Sequence, residues 1–175
     1  PSFVKHGLTF PLEFTQANLF TGLFQGAGSF YNHQTRSYLI VISVAGRVFT
    51  IDPNNNFLVR DISIAGDLNY ATATKVWMAQ AEDFLIVQDG FSKAFIFDGA
   101  ISLRPMVDKQ VPTLTVMQYV NGRLWGATPA GNGFIGSDLT GSSSGSLAYN
   151  FRDAVLWFTQ NTFLLGGGAF STPTT

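Results

Sequence analysis

The sequence predicts an all-β fold made of β-propeller-like repeats of antiparallel sheets, about four units that form an incomplete propeller behind an irregular N-terminal arm. Two observations predict it. Aromatic-rich apolar segments recur about every 40 to 46 residues, which is typical of four-stranded propeller blades. Within each unit, turn residues separate short runs rich in β-branched and aromatic side chains. We therefore expect each unit to bury its faces against its neighbours.

The recurrence is clearest between two central segments. Residues 39–41 (Leu-Ile-Val) are followed by 51–52 (Ile-Asp), and residues 85–87 (Leu-Ile-Val) are followed by 97–98 (Phe-Asp) at the same internal spacing. A looser third copy and a less complete fourth one come later in the chain. This spacing predicts equivalent places in successive units for the two Leu-Ile-Val segments.

Two regions are predicted: an N-terminal arm or first strand at 1–36, and a propeller-like β domain at 37–175 that is part of a larger propeller. The predicted strands are 37–44, 48–52, 57–64, 75–80, 83–89, 93–98, 101–106, 114–120, 123–127, 133–139, 154–158 and 162–165. The arm carries five phenylalanines, Phe10, Phe14, Phe20, Phe24 and Phe30. These phenylalanines either belong to the domain's own core or dock against a neighbouring subunit.

Glycine dipeptides mark the turns between these strands. Ala45-Gly46 predicts a tight reversal, and Asn121-Gly122 is a strong hairpin signal. Asp89-Gly90 and Asp98-Gly99 are the dipeptides most favoured in primed hairpin turns. We therefore expect hairpins at all four positions.

The composition favours a protein that works through contacts with other chains. Charged residues make up 12% of the sequence against about 25% in typical globular chains, and Phe occurs 17 times. The net charge of −1 gives no electrostatic reason to bind nucleic acid or anionic lipid. The absence of Cys excludes disulfides and thiolate zinc sites, and no apolar run reaches the roughly 18 residues of a membrane-spanning helix. We expect part of the apolar surface to meet another chain, without insertion into a membrane.

No motif in the sequence predicts catalysis, a cofactor or a metal. The glycines of 131–136 have dinucleotide-binding spacing but lead into a strand instead of a helix, and 141–145 matches the nucleophile elbow only through low-complexity Gly and Ser. His6 and His33 are the only histidines and are far apart in sequence. We therefore predict a protein that is not an enzyme, with no catalytic, cofactor-binding or metal-binding residues.

Acidic residues recur in the sequence and allow two interpretations. Glu82, Asp83 and Asp89 would supply carboxylates for glycoside hydrolysis, a chemistry that needs two of them close together. An Asp before glycine, however, commonly caps its own turn, which favours a structural role for Asp89 and Asp98. The same turn role accounts for Asp52, Asp98 and Asp138, which hold corresponding places in successive units.

One strand suggests a carbohydrate-binding surface. Arg123 and Trp125 alternate along it and therefore share a face, where they either stack on each other or, with Tyr119, bind sugar. Carbohydrate binding, including recognition of a host surface, is thus the first alternative to a structural role, and glycoside hydrolysis is the second.

Three segments together resemble a known family. They are AEDFLIVQDGFSKAFIFDG at 81–99, VNGRLWGATPAGNGFIGSDLTG at 120–141 and VLWFTQNTFLLGGGAF at 155–170. They are similar to virion structural proteins of tailed bacteriophages, namely the propeller-bearing tail nozzle or tubular components. The likeness covers about residues 75–170 and rests on repeat-like segments instead of catalytic ones.

The resemblance implies a structural β-propeller subunit of the phage tail, made in the host cytoplasm and assembled with other virion proteins and with copies of itself in a ring. It implies transient contact with phage DNA in the tail channel and allows contact with a host-surface glycan. Such proteins are several times longer, so we expect an N-terminal or partial portion of one. The structural signature comprises Asp89, Gly90, Asp98, Gly99, Arg123, Trp125 and Asp138.

Overall fold

The computed structural model describes residues 22–104, 111–131 and 133–137. These residues form eleven strands and no helix, which confirms the all-β prediction. None of them therefore belongs to a helix long and apolar enough to cross a membrane. The strands are β1 (Phe24–Asn32), β2 (Ser37–Val44), β3 (Arg47–Asp52), β4 (Leu58–Asp61), β5 (Trp77–Ala81), β6 (Phe84–Gln88), β7 (Phe95–Phe97), β8 (Ser102–Leu103), β9 (Met117–Val120), β10 (Arg123–Ala127) and β11 (Phe134–Gly136).

The strands form three antiparallel sheets in which each strand pairs with its neighbour in sequence. Sheet 1 has the order β1-β2-β3-β4, sheet 2 the order β5-β6-β7-β8, and sheet 3 the order β9-β10-β11. β1 lies inside the predicted N-terminal arm and pairs with β2 from Phe24 to Asn32. The strands predicted at 154–158 and 162–165, and three of the five arm phenylalanines, lie outside the described residues.

Hairpins form at all four predicted positions, but only two of them have the two-residue primed turn. Ala45 and Gly46 have φ angles of 48° and 81°, and Asn121 and Gly122 have 51° and 73°, as two-residue primed turns require. Asp89-Gly90 and Asp98-Gly99 instead begin longer loops, because β6 and β7 are separated by residues 89–94 and β7 and β8 by 98–101. At both places only the glycine takes a positive φ.

Sheet 2 lies between the other two sheets, so both of its faces are buried. Every residue of β6 and of β7 is buried, which explains their uninterrupted apolar sequence. Core A separates sheets 1 and 2, and its buried members are Phe30, Val41, Val48, Ile62, Val76, Leu85, Val87, Phe95 and Phe97. Core B separates sheets 2 and 3, and its buried members are Ala81, Phe84, Ile86, Ala94, Ile96, Val111, Leu114, Met117 and Leu124.

The two Leu-Ile-Val segments lie on equivalent strands, β2 and β6, each the second strand of its sheet, but their side chains face opposite ways in the stack. Leu39 and Val41 of sheet 1 face core A, and Leu85 and Val87 of sheet 2 face the same core from the other side. The reason is the loop after each segment. Two residues, an even number, join β2 to β3. Val87 and Phe95, by contrast, pair across an odd number of intervening residues. The side chains of the second Leu-Ile-Val segment therefore face the opposite way relative to the third strand of their sheet.

The first strands of successive sheets lie against one another, β1 against β5 and β5 against β9. Close approach requires Gly26 on β1, because a Cβ there would lie 2.6 Å from the carbonyl oxygen of Val76. The amide of Val76 donates to the carbonyl of Gln25 at 2.8 Å. Gln80 strengthens the same contact: its amide group accepts from the Tyr31 N–H at 2.8 Å and donates to the Tyr31 carbonyl at 2.9 Å.

Candidate functional site

Asp89, one of the sequence-predicted residues, accepts four hydrogen bonds. It is 2% exposed, at the end of β6. Its Oδ1 accepts from the N–H groups of Phe91 at 2.8 Å and Ser92 at 2.6 Å, and its Oδ2 accepts from the Ser92 hydroxyl at 2.7 Å. These bonds confirm that Asp89 caps its own turn. Oδ2 also accepts from the N–H of Tyr70 at 2.6 Å, so Asp89 joins the loop after β6 to the segment before β5.

The hydrogen bonds to Asp89 keep its carboxylate ionised although it is buried. Burial alone would raise the pKa of Asp89, but the hydroxyl of Ser92 and the backbone N–H groups of Tyr70, Ser92 and Phe91 stabilise the charged form and together bring the pKa below its ordinary value. The negative charge is therefore part of what holds the two loops.

Gln25, at the start of β1, holds the same region from the other side. Its side chain is 3% exposed and is surrounded by partners. Nε2 donates to the carbonyls of Tyr70 at 2.8 Å and Ala73 at 2.9 Å, while Oε1 accepts from the Ser43 hydroxyl at 3.0 Å and the Gly46 N–H at 2.8 Å. Gln25 thus ties the β2–β3 turn to the segment that also contacts Asp89.

Two exposed rings project from the loops that Asp89 joins. Tyr70 is 52% exposed and Phe91 is 70% exposed, and their ring centroids lie 5.1 Å apart at an interplanar angle of 39°. Both residues are bonded through their backbone N–H groups to Asp89. A buried carboxylate therefore positions a pair of aromatic rings in solvent, and we call Tyr70 and Phe91 the aromatic pair.

The aromatic pair belongs to a larger group of exposed apolar residues at this end of the sheets. Each side chain in the group is between 46% and 70% exposed. The chain segments that carry them are joined by backbone bonds from Ala45 to Leu23 at 2.9 Å and from Asn69 to Gly46 at 3.0 Å. This apolar rim consists of Leu23, Phe24, Leu68, Tyr70 and Phe91.

The apolar rim does not follow from the pattern of apolar residues in the sequence. Most of its residues lie in loops, where apolar side chains follow no period, so pattern alone does not separate them from the core. One signal was present: in Asp89-Gly90-Phe91 a large apolar residue follows a capping Asp, inside the turn itself. A side chain held in such a turn points to a surface instead of into a sheet core.

The opposite end of the sheets holds Glu82 and Asp83, two of the three acidic residues considered for hydrolysis. Asp83 pairs with His33 of the β1–β2 turn, and Glu82 accepts a hydrogen bond from the hydroxyl of Tyr119. Asp83 and Asp89 flank the two ends of β6 and are therefore about 20 Å apart along the strand, since strands rise about 3.3 Å per residue. Hydrolysis needs closer carboxylates, so Asp89 cannot pair with Glu82 or Asp83.

The recurrent aspartates are turn caps where they are described. Asp98 accepts from the N–H groups of Ala100 and Ile101, each at 2.9 Å, and Asp52 accepts from that of Asn54 at 2.9 Å. Gly99 lies against the end of β1 with a φ of +97°. Asp138 lies outside the described residues.

The proposed sugar-binding group is divided between two faces of sheet 3. Tyr119 is paired with Leu124, which is buried in core B, so Tyr119 shares that face. Arg123 and Trp125 alternate with Leu124 and face the other way, away from sheet 2. Arg123 donates to the carbonyl of Ser137 at 2.9 Å. A platform made of Tyr119, Arg123 and Trp125 together is therefore wrong.

Among residues 22–104, 111–131 and 133–137, no group of three His, Asp or Glu side chains is arranged to hold a metal ion. The glycine motif at 131–136 leads into strand β11, as the sequence predicts, and residue 132 lies outside the described ranges. His6 and the Gly/Ser segment 141–145 also lie outside them. In comparisons with known proteins, no family model matches the sequence, and no curated protein does.

Proposed function

We propose that the chain is a non-enzymatic structural subunit of a bacteriophage tail, with its sheets stacked as propeller blades, and that it assembles with other chains through the apolar rim. The exposed aromatic pair held by the buried Asp89 is the observation that supports assembly. Placement in a virion tail and contact with phage DNA rest on the sequence resemblance alone. A propeller is supported by the meandering sheets and by the contacts between their first strands.

The aromatic pair has the properties of an interface anchor. Aromatic residues are enriched at protein interfaces and often dominate binding, because they bury much area at a small cost in side-chain entropy. The hydrogen bonds of Asp89 and Gln25 fix the backbone at Tyr70 before any partner arrives. A preorganised backbone lowers the entropy lost on association. The low content of charged residues, 12%, further reduces the desolvation cost of burying this surface.

The proposal is tested by measuring oligomeric mass. The purified chain is examined by native mass spectrometry and light scattering beside the double variant Tyr70→Ser/Phe91→Ser. We expect the unchanged chain to form closed oligomers. The oligomers of the double variant should dissociate at protein concentrations about 100-fold higher than those of the unchanged chain, since two anchors each contribute about 1.4 kcal/mol or more.

The matched control is Tyr38→Ser. Tyr38 is 63% exposed, similar to the aromatic pair, and is the second residue of β2, at the opposite end of sheet 1. We expect its oligomers to match those of the unchanged chain. A chain that stays monomeric at high concentration, or a double variant that assembles normally, would contradict the proposal.

Carbohydrate binding is a second candidate function, supported by a different group of rings. Tyr31 lies 4.8 Å from His33 at 76° and 4.8 Å from Tyr38 at 52°, between ring centroids. His33 and Tyr38 are exposed, and sugars commonly bind on exposed aromatic rings beside polar groups. Binding to a glycan array that Tyr38→Ala abolishes supports this function, and binding that the variant retains removes these rings from it.

A further inference from the structure

A groove lies between the outer strands of sheets 1 and 2, β4 and β8. Residues 60–65 and 100–102 line it, and its volume of about 370 Å³ is within the range of about 300 to 1,000 Å³ found for ligand-binding clefts. Of the lining residues, Ile62 is buried in core A, whereas Ile101 is exposed. The groove therefore connects the margin of core A with solvent, and we call it the edge groove.

The edge groove is bordered by the free edge of a sheet on each side. The N–H of Ile62 donates to the carbonyl of Val48 at 2.9 Å, and backbone groups of successive residues in an antiparallel strand point to alternate sides. The N–H and C=O groups of Val59 and Asp61 therefore point away from β3. On the other side, Ser102 belongs to the edge strand β8. Free backbone groups of this kind pair readily with another extended chain.

Arg60 gives the edge groove a positive charge. Its Nη2 donates to the carbonyl of Ala100 at 3.0 Å, so the side chain reaches from sheet 1 to sheet 2. Among the residues that the structure describes, no carboxylate forms an ion pair with Arg60. Asp61 pairs with Arg47, and Asp98 accepts from the N–H of Ala100. The guanidinium group therefore has donors that suit a carboxylate from outside the described residues.

We propose that the edge groove binds an extended peptide segment of another chain, and that this segment carries an Asp or Glu side chain. The segment adds to β4 as a fifth strand of sheet 1, with its backbone bonded to Val59 and Asp61. Its acidic side chain lies beside Arg60, as a cross-strand neighbour on the same face does. The edge groove shares no residue with the apolar rim, so this proposal and assembly through the rim can fail separately.

Peptide display tests the proposal with the full chain. A library of random linear heptapeptides is selected for binding to the chain, and the selected peptides are labelled with fluorescein and titrated by fluorescence anisotropy. We expect them to share an Asp or Glu that is flanked by β-branched residues, since these favour an extended backbone. A selection that yields no binding peptide, or only peptides without an acidic residue, overturns the proposal.

Two variants test the contacts of the selected peptides. Arg60→Gln removes the positive charge, and Val59→Pro removes an outward N–H at an edge strand, where proline is tolerated. We expect each variant to weaken peptide binding about tenfold or more. The control is Arg36→Gln, which removes the same charge from the exposed β1–β2 turn and should leave the affinity unchanged. Equal affinities in all three variants overturn the proposal.

Replacing the acidic residue of the peptide by its amide tests the contact with Arg60 directly. The amide peptide should bind the unchanged chain about tenfold more weakly than the acidic peptide, but both peptides should bind Arg60→Gln equally. Equal losses in the two proteins overturn this contact. The double variant Tyr70→Ser/Phe91→Ser should bind the acidic peptide as the unchanged chain does. A loss of binding there would place the peptide on the apolar rim and overturn the edge groove as its site.

Discussion

Single buried polar residues decide the shape of the loops in this molecule. Asp89 and Gln25 are 2% and 3% exposed, and together they bind backbone groups of three chain segments that no strand pairing holds. Buried polar groups are stable only when their hydrogen bonds are made, so each residue specifies one arrangement of its loops. The apolar rim depends on that arrangement.

Asp89→Ala is expected to destabilise the fold strongly. It leaves the N–H groups of Tyr70, Phe91 and Ser92 without their acceptor, at a cost of about 3 kcal/mol in the free energy of unfolding. Urea titration followed by tryptophan fluorescence measures the change. Asp52→Ala is the control: it removes one bond at an exposed turn and should cost about 0.5 to 1 kcal/mol. Equal losses in the two variants would contradict this role of Asp89.

Acid should weaken the fold through Asp89. Its folded pKa lies below the unfolded value of about 3.9, so its contribution to stability is complete above that value and is lost as the pH falls through the folded pKa. We expect the stability difference between the unchanged chain and Asp89→Asn to stay constant down to about pH 5 and to shrink below about pH 4. A stability difference that grows as the pH falls would mean that folding raises the pKa of Asp89, which contradicts the prediction. Urea titrations at several pH values measure it.

The residue roles were predictable where a side chain acts on its own turn. Asp98 before glycine indicated a cap, and the structure confirms it. The bond from Asp89 to Tyr70 crosses 19 residues, and that from Gln25 to Ala73 crosses 48. Contacts at that separation depend on how the sheets stack, which no local pattern in the sequence specifies.

At the scale of elements, the first strands of the sheets are packed backbone to backbone. β1 carries Gly26 and Gly28 where β5 and the residue before it approach. Gly28 faces the side chain of Met78, whereas Gly26 faces the carbonyl of Val76. Small residues on β1 therefore set the distance between sheets 1 and 2.

Gly26→Ala and Gly28→Ala form a matched pair on one strand. A Cβ at residue 26 would lie 2.6 Å from a backbone oxygen, so the strand must move, and we expect a loss of about 2 to 3 kcal/mol. A Cβ at residue 28 would lie 3.2 Å from Met78 Sδ, which can rotate away, and 3.3 Å from Met78 Cβ, which needs only a small shift, so the loss should be smaller, about 1 kcal/mol. Thermal or urea unfolding of both variants measures which of them loses more stability. The reverse order would contradict this account of the β1–β5 contact.

Strand positions were predictable from the alternation of apolar residues and from turn residues. The bounds of β2 and β10 match the predicted 37–44 and 123–127. The strand predicted at 57–64 is shorter, Leu58–Asp61, because Ser63 bonds Val48 and Asp61 instead of continuing the ladder. Which face a strand presents was not predictable across a loop, since one residue more or less reverses it.

At the largest scale, the described residues form a stack in which sheet 2 is shared by two cores. Phe30 of sheet 1 contacts Phe97 of sheet 2 with ring centroids 5.4 Å apart, in core A. Leu124 of sheet 3 is fully buried in core B. Because both faces of sheet 2 are covered by other sheets, the loss of either core would expose one face of sheet 2 to solvent.

We expect the three sheets to unfold together. Phe30→Ala in core A should cost about 3 to 5 kcal/mol, and Leu124→Ala in core B about 2 to 5 kcal/mol. In each variant we expect a single unfolding transition that is shifted from that of the unchanged chain. Circular dichroism and fluorescence should report the same transition. Separate transitions in either variant, or fluorescence and circular dichroism curves that do not coincide, would show that the cores are independent.

The meeting of the two Leu-Ile-Val segments in core A has a consequence for how this sequence can change. Positions 39 and 41 resemble copies of 85 and 87 but share one packed space with them. Because a core has fixed volume, a larger side chain at one position requires a smaller one at another. Residues that resemble duplicates 46 positions apart are thus partners whose sizes must compensate, and averaging them into one consensus would overfill or empty the core.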